Sequence, residues 1–421
     1  MSEFSFVHTA DLHLDSPFSA VRQNNKVLAE TLRKATFEAF DRVIRLCIDH
    51  HVDFLLVAGD VFDGEDRSLR AQIRFRDGLT RLSEAGIQAV VVCGNHDPLC
   101  SWASSLAWPP GARLVGEHLE NLSIERDGTL LARIQGISYP KREEKRNLSR
   151  IFHRQDSAFH IGLLHSNLGS DTGHEPYAPC SLDDLKAAGM DYWALGHVHT
   201  RKVLSENPPV VVYPGNIQGR HIREAGEKGC YLVRVKANNE VALEFHPTDA
   251  VRWVTGELPI QGIRTLQDLM ETLEKVSSEI AEKGKGRPTI SRIALRGSGP
   301  LHHLLQRPET AFDILDALQE MGMARSPFLW VEKVETEIFP PVDLEVSAEE
   351  RGFLGELLRY SRDLRHAPDF EERLSKELDP LFSNPRARRF IAQPDAPKLH
   401  QLLRAAERLC AQGLYGGEKG A

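Results

Sequence analysis

The pattern of hydrophobic and polar positions changes several times along the chain, and the first pattern covers about the first 93 residues. There, short runs rich in β-branched and aromatic residues are separated by stretches with apolar residues at helical spacing. The runs lie at 4–9, 53–58 and 87–93, and the helical stretches at 27–50 and 68–85. Strands separated by helices of this length are typical of parallel βαβ units.

The second pattern begins after Pro98, where strand-like runs follow each other closely. They lie at 131–136, 159–164, 192–195, 210–213, 230–235 and 241–245, and one helical stretch, 182–188, interrupts them. Closely spaced strands favour antiparallel connections. We therefore expect the sheet begun by the βαβ units to be completed by a meander.

The pattern changes again beyond His246. Strand, helix, strand, helix and strand are predicted at 252–259, 266–283, 290–295, 310–321 and 328–338, which indicates a separate small α/β unit. From Ser347 onward the sequence is charged and helical, with breaks expected near Pro368, Pro380, Pro385 and Pro394. We predict three domains, 1–247, 248–341 and 342–421.

Composition narrows the functional class only slightly. With 421 residues and 41% hydrophobic residues the chain can bury more than one core. The net charge of -8 argues against a uniformly basic nucleic-acid coat, but bound divalent cations would reverse the local sign, so DNA is not excluded. The six cysteines form no CxxC pair, which argues against a zinc knuckle or a disulfide framework. The first residues lack a basic segment followed by an apolar one, and no run is long enough to span a membrane, so we expect a cytoplasmic protein.

Five short motifs place metal-binding side chains where apolar runs end. They are Asp11-Leu-His13, Gly59-Asp60-Val-Phe-Asp63, Gly94-Asn95-His96-Asp97, His165, and Gly196-His197-Val-His199. Each motif alone is a chance match, but five at strand ends indicate one site, because α/β sheets place their sites there. A histidine-rich set of nitrogen and oxygen donors favours Mn, Fe or Zn over Ca.

This set of motifs resembles the calcineurin-like metallophosphoesterase superfamily. The segment Ala10-Asp-Leu-His-Leu-Asp-Ser-Pro-Phe18, together with Gly196-His-Val-His and Tyr213-Pro-Gly-Asn216, is most similar to the SbcD and YhaO group of DNA-repair exonucleases. The resemblance implies an α/β metallophosphoesterase sandwich, in which helices flank two central mixed β-sheets. It also implies a small α/β capping domain and a helical C-terminal region.

The resemblance further implies a role for each motif residue. Two divalent ions are expected, Mn²⁺ first, with Fe or Zn as alternatives. Asp60 would bridge them, the first ion also being bound by Asp11, His13 and His199, and the second by Asn95, His165 and His197. His96 would be catalytic without binding metal, and Asp63 would orient it.

Several charged residues keep two interpretations. Asp15 either supports His13 or caps the next turn, and Arg220 and His221 either meet a phosphate or belong to an exposed loop. The basic run 141–154 either follows a DNA backbone or forms a solvated helix face. Archaeal and eukaryotic double-strand-break nucleases, which are similar, carry histidine at the Asp63 position and glycine at the Asp15 position.

These implications lead to one functional hypothesis and two alternatives. The chain is expected to be a metal-dependent DNA exonuclease or endonuclease, working with an SMC-like ATPase of the SbcC or YhaN kind and forming a possible homodimer. A small-substrate phosphodiesterase or phosphoprotein phosphatase is the first alternative, since a two-metal site does not distinguish diesters from monoesters. The second is a scaffold that joins an ATPase to DNA with little hydrolysis.

Overall fold

The structure, a computed structural model, describes residues 2–16, 26–63, 68–101, 107–169, 177–341, 344–349, 351–383 and 394–415. Its strands, in chain order, are β1 (Phe4–Thr9), β2 (Phe54–Ala58), β3 (Gln88–Val92), β4 (Ala112–Leu114), β5 (Glu120–Arg126), β6 (Thr129–Ile137), β7 (Phe159–His165), β8 (Tyr192–Gly196), β9 (Lys202–Ser205), β10 (Val210–Tyr213), β11 (Gly229–Val235), β12 (Val241–Pro247), β13 (Arg252–Pro259), β14 (Thr289–Ser298) and β15 (Leu329–Phe339).

Its α-helices are α1 (Lys26–Asp49), α2 (Leu69–Glu84), α3 (Leu182–Ala187), α4 (Leu266–Lys283), α5 (His302–Leu305), α6 (Pro308–Met323), α7 (Leu344–Glu349), α8 (Phe353–His366), α9 (Phe370–Ser383) and α10 (Ala396–Tyr415). Short 3₁₀ turns cover Leu99–Ser101, Leu148–Ile151 and Ile222–Glu224. None of the helices in the described ranges is both long and apolar enough to cross a membrane.

Two six-stranded mixed sheets carry the larger part of the chain. The first has the order β12-β11-β1-β2-β3-β4. In it, β1 to β4 pair in parallel, and β11 pairs antiparallel with both β1 and β12. The second has the order β5-β6-β7-β8-β10-β9. The implied sandwich of two mixed sheets flanked by helices is therefore confirmed.

The predicted meander is wrong. Strands β6, β7, β8 and β10 pair in parallel, and only β5 and β9 at the edges run antiparallel. The connection from β6 to β7 contains only a 3₁₀ turn in place of a crossover helix. Because spacing and helix content were the basis of the meander prediction, a parallel crossover without an α-helix could not be distinguished from a hairpin.

The apolar residues of the two sheets form a shared core. Aromatic side chains of β1 and β2 stack, with the ring centroids of Phe6 and Phe54 4.8 Å apart, and Tyr192 of β8 meets Phe6 edge-on at 5.3 Å. Helices α1 and α2 cover the other face of the first sheet. This packing fixes the strand ends of both sheets relative to each other, since close-packed cores leave side chains little freedom.

The chain forms two compact units. One comprises Met1–Thr255, Ile280–Ser291 and Met323–Glu332, and the other comprises Gly256–Glu279, Arg292–Gly322 and Lys333–Ala421. The strands β13, β14 and β15 form a third sheet. The predicted domain limits at 247 and 341 stay predictions.

The helix break expected at Pro380 is wrong, because this residue lies inside α9. The break expected at Pro385 lies outside the described residues.

Candidate metal centre

The predicted metal ligands converge at the carboxyl ends of strands from both sheets. Strands β1, β2 and β3 are parallel neighbours, as are β7 and β8, so the residues that follow each set share one edge. The seven side chains placed there are Asp11, His13, Asp60, Asn95, His165, His197 and His199. All but His199 are buried, and His199 is half-buried.

Four of these residues have a left-handed backbone conformation. The φ angles are +52° at Asp11, +43° at His13, +51° at Asp60 and +101° at His197. Such conformations cost a non-glycine residue roughly 1–3 kcal/mol each and cluster at functional sites. The backbone is therefore folded to aim these side chains.

Two of the motif glycines permit a close approach of neighbouring segments. A Cβ atom at Gly94 would overlap the carboxylate of Asp60, and one at Gly196 would overlap the carbonyl oxygen of Ala58. Any side chain at these positions would push the strand ends apart. The glycines that precede Asn95 and His197 in sequence thus bring the ligand sets together.

The first set of donors surrounds His13. Its Nε2 lies 3.1 Å from Nε2 of His199 and 3.9 Å from Oδ2 of Asp60. Oxygen and nitrogen atoms of Asp11, His13 and His199 all lie within 4.8 Å of one another. Donors about 2.1 Å from one first-row metal ion are roughly 3 Å apart, as the two imidazole nitrogens are here.

The second set surrounds Asn95. Its Oδ1 lies 3.1 Å from Nε2 of His165 and 3.2 Å from Nδ1 of His197. Oδ2 of Asp60 lies 3.4 Å from Nε2 of His165. Since Asp60 approaches His13 as well as His165, it is placed to contact ions in both sets, while Asp11 is close enough to reach either.

The protonation of two of these residues, Asp60 and His13, suits metal binding. Burial would raise the pKa of Asp60, but the charge and hydrogen bond of His165 and the charge of His13 hold that pKa well below its usual value. Burial and the nearby Arg220 lower the pKa of His13 to about 3. An ionised carboxylate and a neutral imidazole are the forms that ligate metals. These donors fit divalent cations.

His96 lies beside the two sets and is more open than the ligands. Its side chain is 33% exposed, and its Nδ1 lies 3.0 Å from Oδ1 of Asp63. Its backbone N–H donates to Oδ1 of Asp60 at 2.9 Å, which fixes the ring close to the ligands. Burial opposes the charged form, but the Asp63 hydrogen bond and the charges of Asp60 and Asp63 outweigh it and raise the pKa of His96. The predicted pair of His96 and Asp63 is thus in contact.

Asp63 is held by several donors besides His96. The hydroxyl of Ser16 donates to its Oδ2 at 2.6 Å, and Nη1 of Arg220 lies 3.1 Å from the same oxygen. Burial would raise the pKa of Asp63, but the hydrogen bonds from His13 and His96 keep it far below its usual range. Arg220, predicted as a phosphate contact, therefore lies beside the site with its guanidinium paired to a carboxylate.

Glu224 is a functional candidate that the sequence did not suggest. Its Oε1 lies 2.7 Å from Nδ1 of His199, and its Oε2 accepts hydrogen bonds from the side chain of Asn216 at 2.9 Å and from the backbone N–H of Arg220 at 2.8 Å. A carboxylate on the outer nitrogen of a ligating histidine fixes the tautomer and the ring orientation. Lys228 adds a second support, since its Nζ donates to the carbonyl oxygen of His199 at 2.8 Å.

Asp97 is the second candidate without a predicted role, although it ends a motif. Its buried carboxylate accepts the backbone N–H groups of Gly94 and Val61, each at 2.8 Å. It therefore ties the loop after β3 to the loop after β2. Burial and the charge of Asp60 raise the pKa of Asp97 to about 7. A carboxyl between two ligand loops could have been suspected from its place in the motif.

The residues with two interpretations have these contacts. The backbone N–H of Asp15 donates to the hydroxyl of Thr36 at 3.1 Å, and its carboxylate accepts from Ser68, which caps α2. Half-exposed His221 lies 3.5 Å from Glu224. Of the segment Ala10–Phe18, the last two residues lie outside the described part of the chain.

The basic run 141–154 is largely paired with carboxylates, and its expected helix is wrong. Arg146 meets Glu144 at 2.5 Å, Arg150 meets Asp184 at 3.0 Å and Arg154 meets Asp191 at 3.0 Å. Only Leu148–Ile151 is helical, as a 3₁₀ turn. Local pairing reduces the charge that this surface offers to phosphates.

Comparison with known families identifies two segments. Residues 4–201 match the model of the Calcineurin-like phosphoesterase family, and residues 253–338 match the family described as Metallophosphoesterase YhaO, middle domain. The first match contains all seven predicted ligands, His96 and Asp63. The second covers the predicted small α/β unit.

Curated relatives agree with these matches. The chain is 38% identical over 340 residues to the "Uncharacterized metallophosphoesterase YhaO" of Bacillus subtilis, which covers 80% of this chain and 82% of the relative. It is 31% identical over 207 residues to the "DNA double-strand break repair protein Mre11" of Sulfurisphaera tokodaii, covering 48% of this chain and 51% of that protein. Its identity to the Mre11 protein of Methanocaldococcus jannaschii is 23% over 296 residues, 68% of this chain and 75% of the relative.

Proposed function

Because the chain belongs to the calcineurin-like metallophosphoesterase family, we propose that it is a metal-dependent nuclease that hydrolyses phosphodiester bonds in DNA. The observation that carries the proposal is the convergence of seven ligand side chains beside a partly exposed imidazole, His96. A phosphoryl group placed against the ligands would lie within reach of that imidazole.

We propose that two divalent cations are held at this site, with Asp60 shared between them. The first set is Asp11, His13, Asp60 and His199, and the second is Asp60, Asn95, His165 and His197. We expect Mn²⁺, with Fe or Zn as alternatives, since the donors are nitrogen and oxygen atoms without thiolates. Bound ions of this kind offset phosphate charge and activate water as a nucleophile.

His96 and Asp63 are proposed to handle the proton of the leaving group. The raised pKa of His96 favours the protonated imidazole, the form that can donate a proton to the departing oxygen. Asp63, 3.0 Å from Nδ1, holds the ring so that Nε2 is free to face the substrate. Asp63 thus stabilises the charged form of the acid.

DNA is the proposed substrate, and repair the proposed process, because relatives named for double-strand-break repair share the nuclease segment. Arg220 and His221 are proposed as phosphate contacts, and Asp15 as a further substrate-side residue. Arg220 can leave Asp63 for a phosphate oxygen, since guanidinium groups pair with either anion. We infer a cytoplasmic protein.

We propose three functional regions, a nuclease domain at 1–247, a capping domain at 248–341 and a helical region at 342–421. The helical region is proposed to dock an SMC-like ATPase of the SbcC or YhaN kind. Homodimer formation is a further expectation. Recovery of an ATPase with the full chain, and its loss when 342–421 is deleted, would support the docking proposal.

A substrate panel tests the proposed function. Single-stranded DNA, a cyclic nucleotide and a phosphopeptide are incubated with the full chain and Mn²⁺, together with the variants Asp60→Ala, His96→Ala and, as a matched control, His118→Ala. His118 is 91% exposed, so its loss should change nothing. We expect DNA cleavage by the wild type and the control only. Cleavage by Asp60→Ala at the wild-type rate, or preference for the phosphopeptide, contradicts the proposal.

A further inference from the structure

A cleft lined by arginines lies between α8 and α10, in the second compact unit. Two adjoining cavities of about 230 and 560 Å³ share Arg362, Arg365 and Arg404, and Arg408 lines the smaller one. We call this place the arginine cleft. No residue of the proposed metal centre belongs to it.

The spacing of these residues directs their side chains to one place. Arg362 and Arg365 are three residues apart on α8, and Arg404 and Arg408 are four apart on α10, so each pair lies on one helix face. Like charges at these spacings repel each other. Four guanidinium groups around one cleft are therefore an arrangement that needs compensation.

The described part of the chain supplies only part of that compensation. Nε of Arg365 lies 3.4 Å from buried Glu407, and Arg362 lies 3.5 Å from exposed Glu349. Within the described residues, the side chains of Arg404 and Arg408 make neither a hydrogen bond nor an ion pair. Four positive charges against two negative charges leave a surplus of two, carried by two arginines that are free to bind.

We propose that the arginine cleft binds a phosphate dianion, either free or as a monoester. A dianion matches the surplus of two positive charges, and guanidinium groups bind phosphate oxygens in bidentate geometry. The larger cavity, about 560 Å³, lies in the range of small-molecule pockets and has room for a nucleoside beside the phosphate. Inorganic phosphate and a mononucleotide are the two sources of this chemistry.

The exposed apolar residues of α10 lie on a different helix face from the arginines of the cleft, so a docked partner and a bound anion would use different surfaces. Leu402 and Leu409 are exposed and seven residues apart, on a helix face more than 90° away from Arg404 and Arg408. A partner helix on the leucine face would leave the cleft open. Anion binding can therefore be tested without the partner.

Calorimetric titration of the full chain tests the proposal, with inorganic phosphate, adenosine monophosphate and adenosine as probes. Each titration is run with and without added Mn²⁺, because phosphate held by the metal centre should bind only with Mn²⁺. We expect one phosphate-dependent site without Mn²⁺, which persists when Mn²⁺ is added, and no binding of adenosine in either condition. If phosphate and adenosine monophosphate bind with equal affinity, free phosphate is identified as the ligand of the cleft. If adenosine monophosphate binds more tightly, the mononucleotide is the ligand.

Paired variants decide whether the arginines form the site. Arg404→Gln with Arg408→Gln should weaken binding of adenosine monophosphate at least roughly tenfold, since two charged hydrogen-bond donors are lost. Lys376→Gln with Lys398→Gln removes the same charge from exposed positions outside the cleft and should leave affinity unchanged. Thermal unfolding checks that the wild type and both double variants fold. The proposal would be overturned if the arginine variant kept its affinity or if the lysine variant lost as much affinity as the arginine variant. It would also be overturned if adenosine bound, or if nothing bound without Mn²⁺.

Discussion

Replacing Glu224 with glutamine should disable one histidine of the metal centre without touching a ligand. Both carboxylate oxygens accept: Oε1 faces Nδ1 of His199, and Oε2 receives N–H groups from Asn216 and from the backbone of Arg220. Glutamine offers one acceptor and one donor. It keeps the two amide contacts only by turning its NH₂ group toward His199.

That change forces the other tautomer of His199. Its Nδ1 would have to accept a hydrogen bond, so the proton would move to Nε2, the nitrogen that lies 3.1 Å from Nε2 of His13. A protonated nitrogen cannot bind a metal ion. Loss of such an outer partner typically costs about 10–100-fold in metal affinity, or roughly 1.4–2.7 kcal/mol.

The assay is the initial rate of hydrolysis of a chromogenic phosphodiester at increasing Mn²⁺, with calorimetric titration of Mn²⁺ beside it. We expect the Mn²⁺ midpoint of Glu224→Gln to rise about 10–100-fold, with the rate largely restored at saturating metal. The control is Glu240→Gln, whose exposed carboxylate pairs with Lys236 at 2.9 Å, away from the metal centre. A midpoint equal to that of the wild type and the control would refute the reasoning.

Three further changes have defined outcomes. His96→Ala should lower the maximal rate about 10²–10⁴-fold while calorimetry still detects both Mn²⁺ ions, because the imidazole transfers a proton without binding metal; loss of the ions would contradict this role. His8→Gln should flatten the fall of stability in acid, since burial lowers the pKa of His8 from 6.5 to about 3. The stability contributed by neutral His8 is complete above pH 6.5. Below that pH only the unfolded chain takes up a proton, so this stability falls by roughly 1.4 kcal/mol per pH unit. Urea unfolding between pH 6 and 4 should therefore show that the unfolding free energy of the variant depends less steeply on pH, by that amount. Gly162→Ala should destabilise the chain by about 1–3 kcal/mol, because the methyl group would overlap the buried ring of Trp193, and an unchanged melting temperature would show that the sheet can shift to make room.

The convergence of the seven predicted metal ligands could be foreseen from the sequence, because their chemistry and their position carry the same signal. Asp60 and Asn95 each follow an apolar run and a glycine, and parallel strands bring such positions to one edge. His165 follows no glycine, and its prediction depended on the largely apolar run 159–164 that precedes it. Side-chain type and strand ends were sufficient for this part of the site.

The supporting residues were not predictable in the same way. Glu224 lies on a 3₁₀ turn, 25 positions after His199, and nothing in its neighbours distinguishes it from a surface glutamate. Lys228 resembles any loop lysine, although its ammonium group is buried against the carbonyl of His199. Contacts of this kind depend on how two loops fold back on each other, which local patterns do not encode.

The order of the second sheet was missed for a similar reason. A parallel pair normally requires a helical crossover, and the segment from β6 to β7 has only a 3₁₀ turn. The nearly continuous apolar runs that form β7 and β8 were the available sign, since parallel strands are usually buried on both sides, as these two are. Pro380 was predicted to break a helix but lies within the last turn of α9.

The most direct test of the account is anomalous diffraction at the manganese edge from crystals of the full chain grown with Mn²⁺. Two peaks are predicted, one within ligand distance of His13 and His199 and the other within ligand distance of Asn95 and His165, with Asp60 touching both. Peaks elsewhere, or none at saturating Mn²⁺, would contradict the claim that this cluster is a two-metal phosphodiesterase centre.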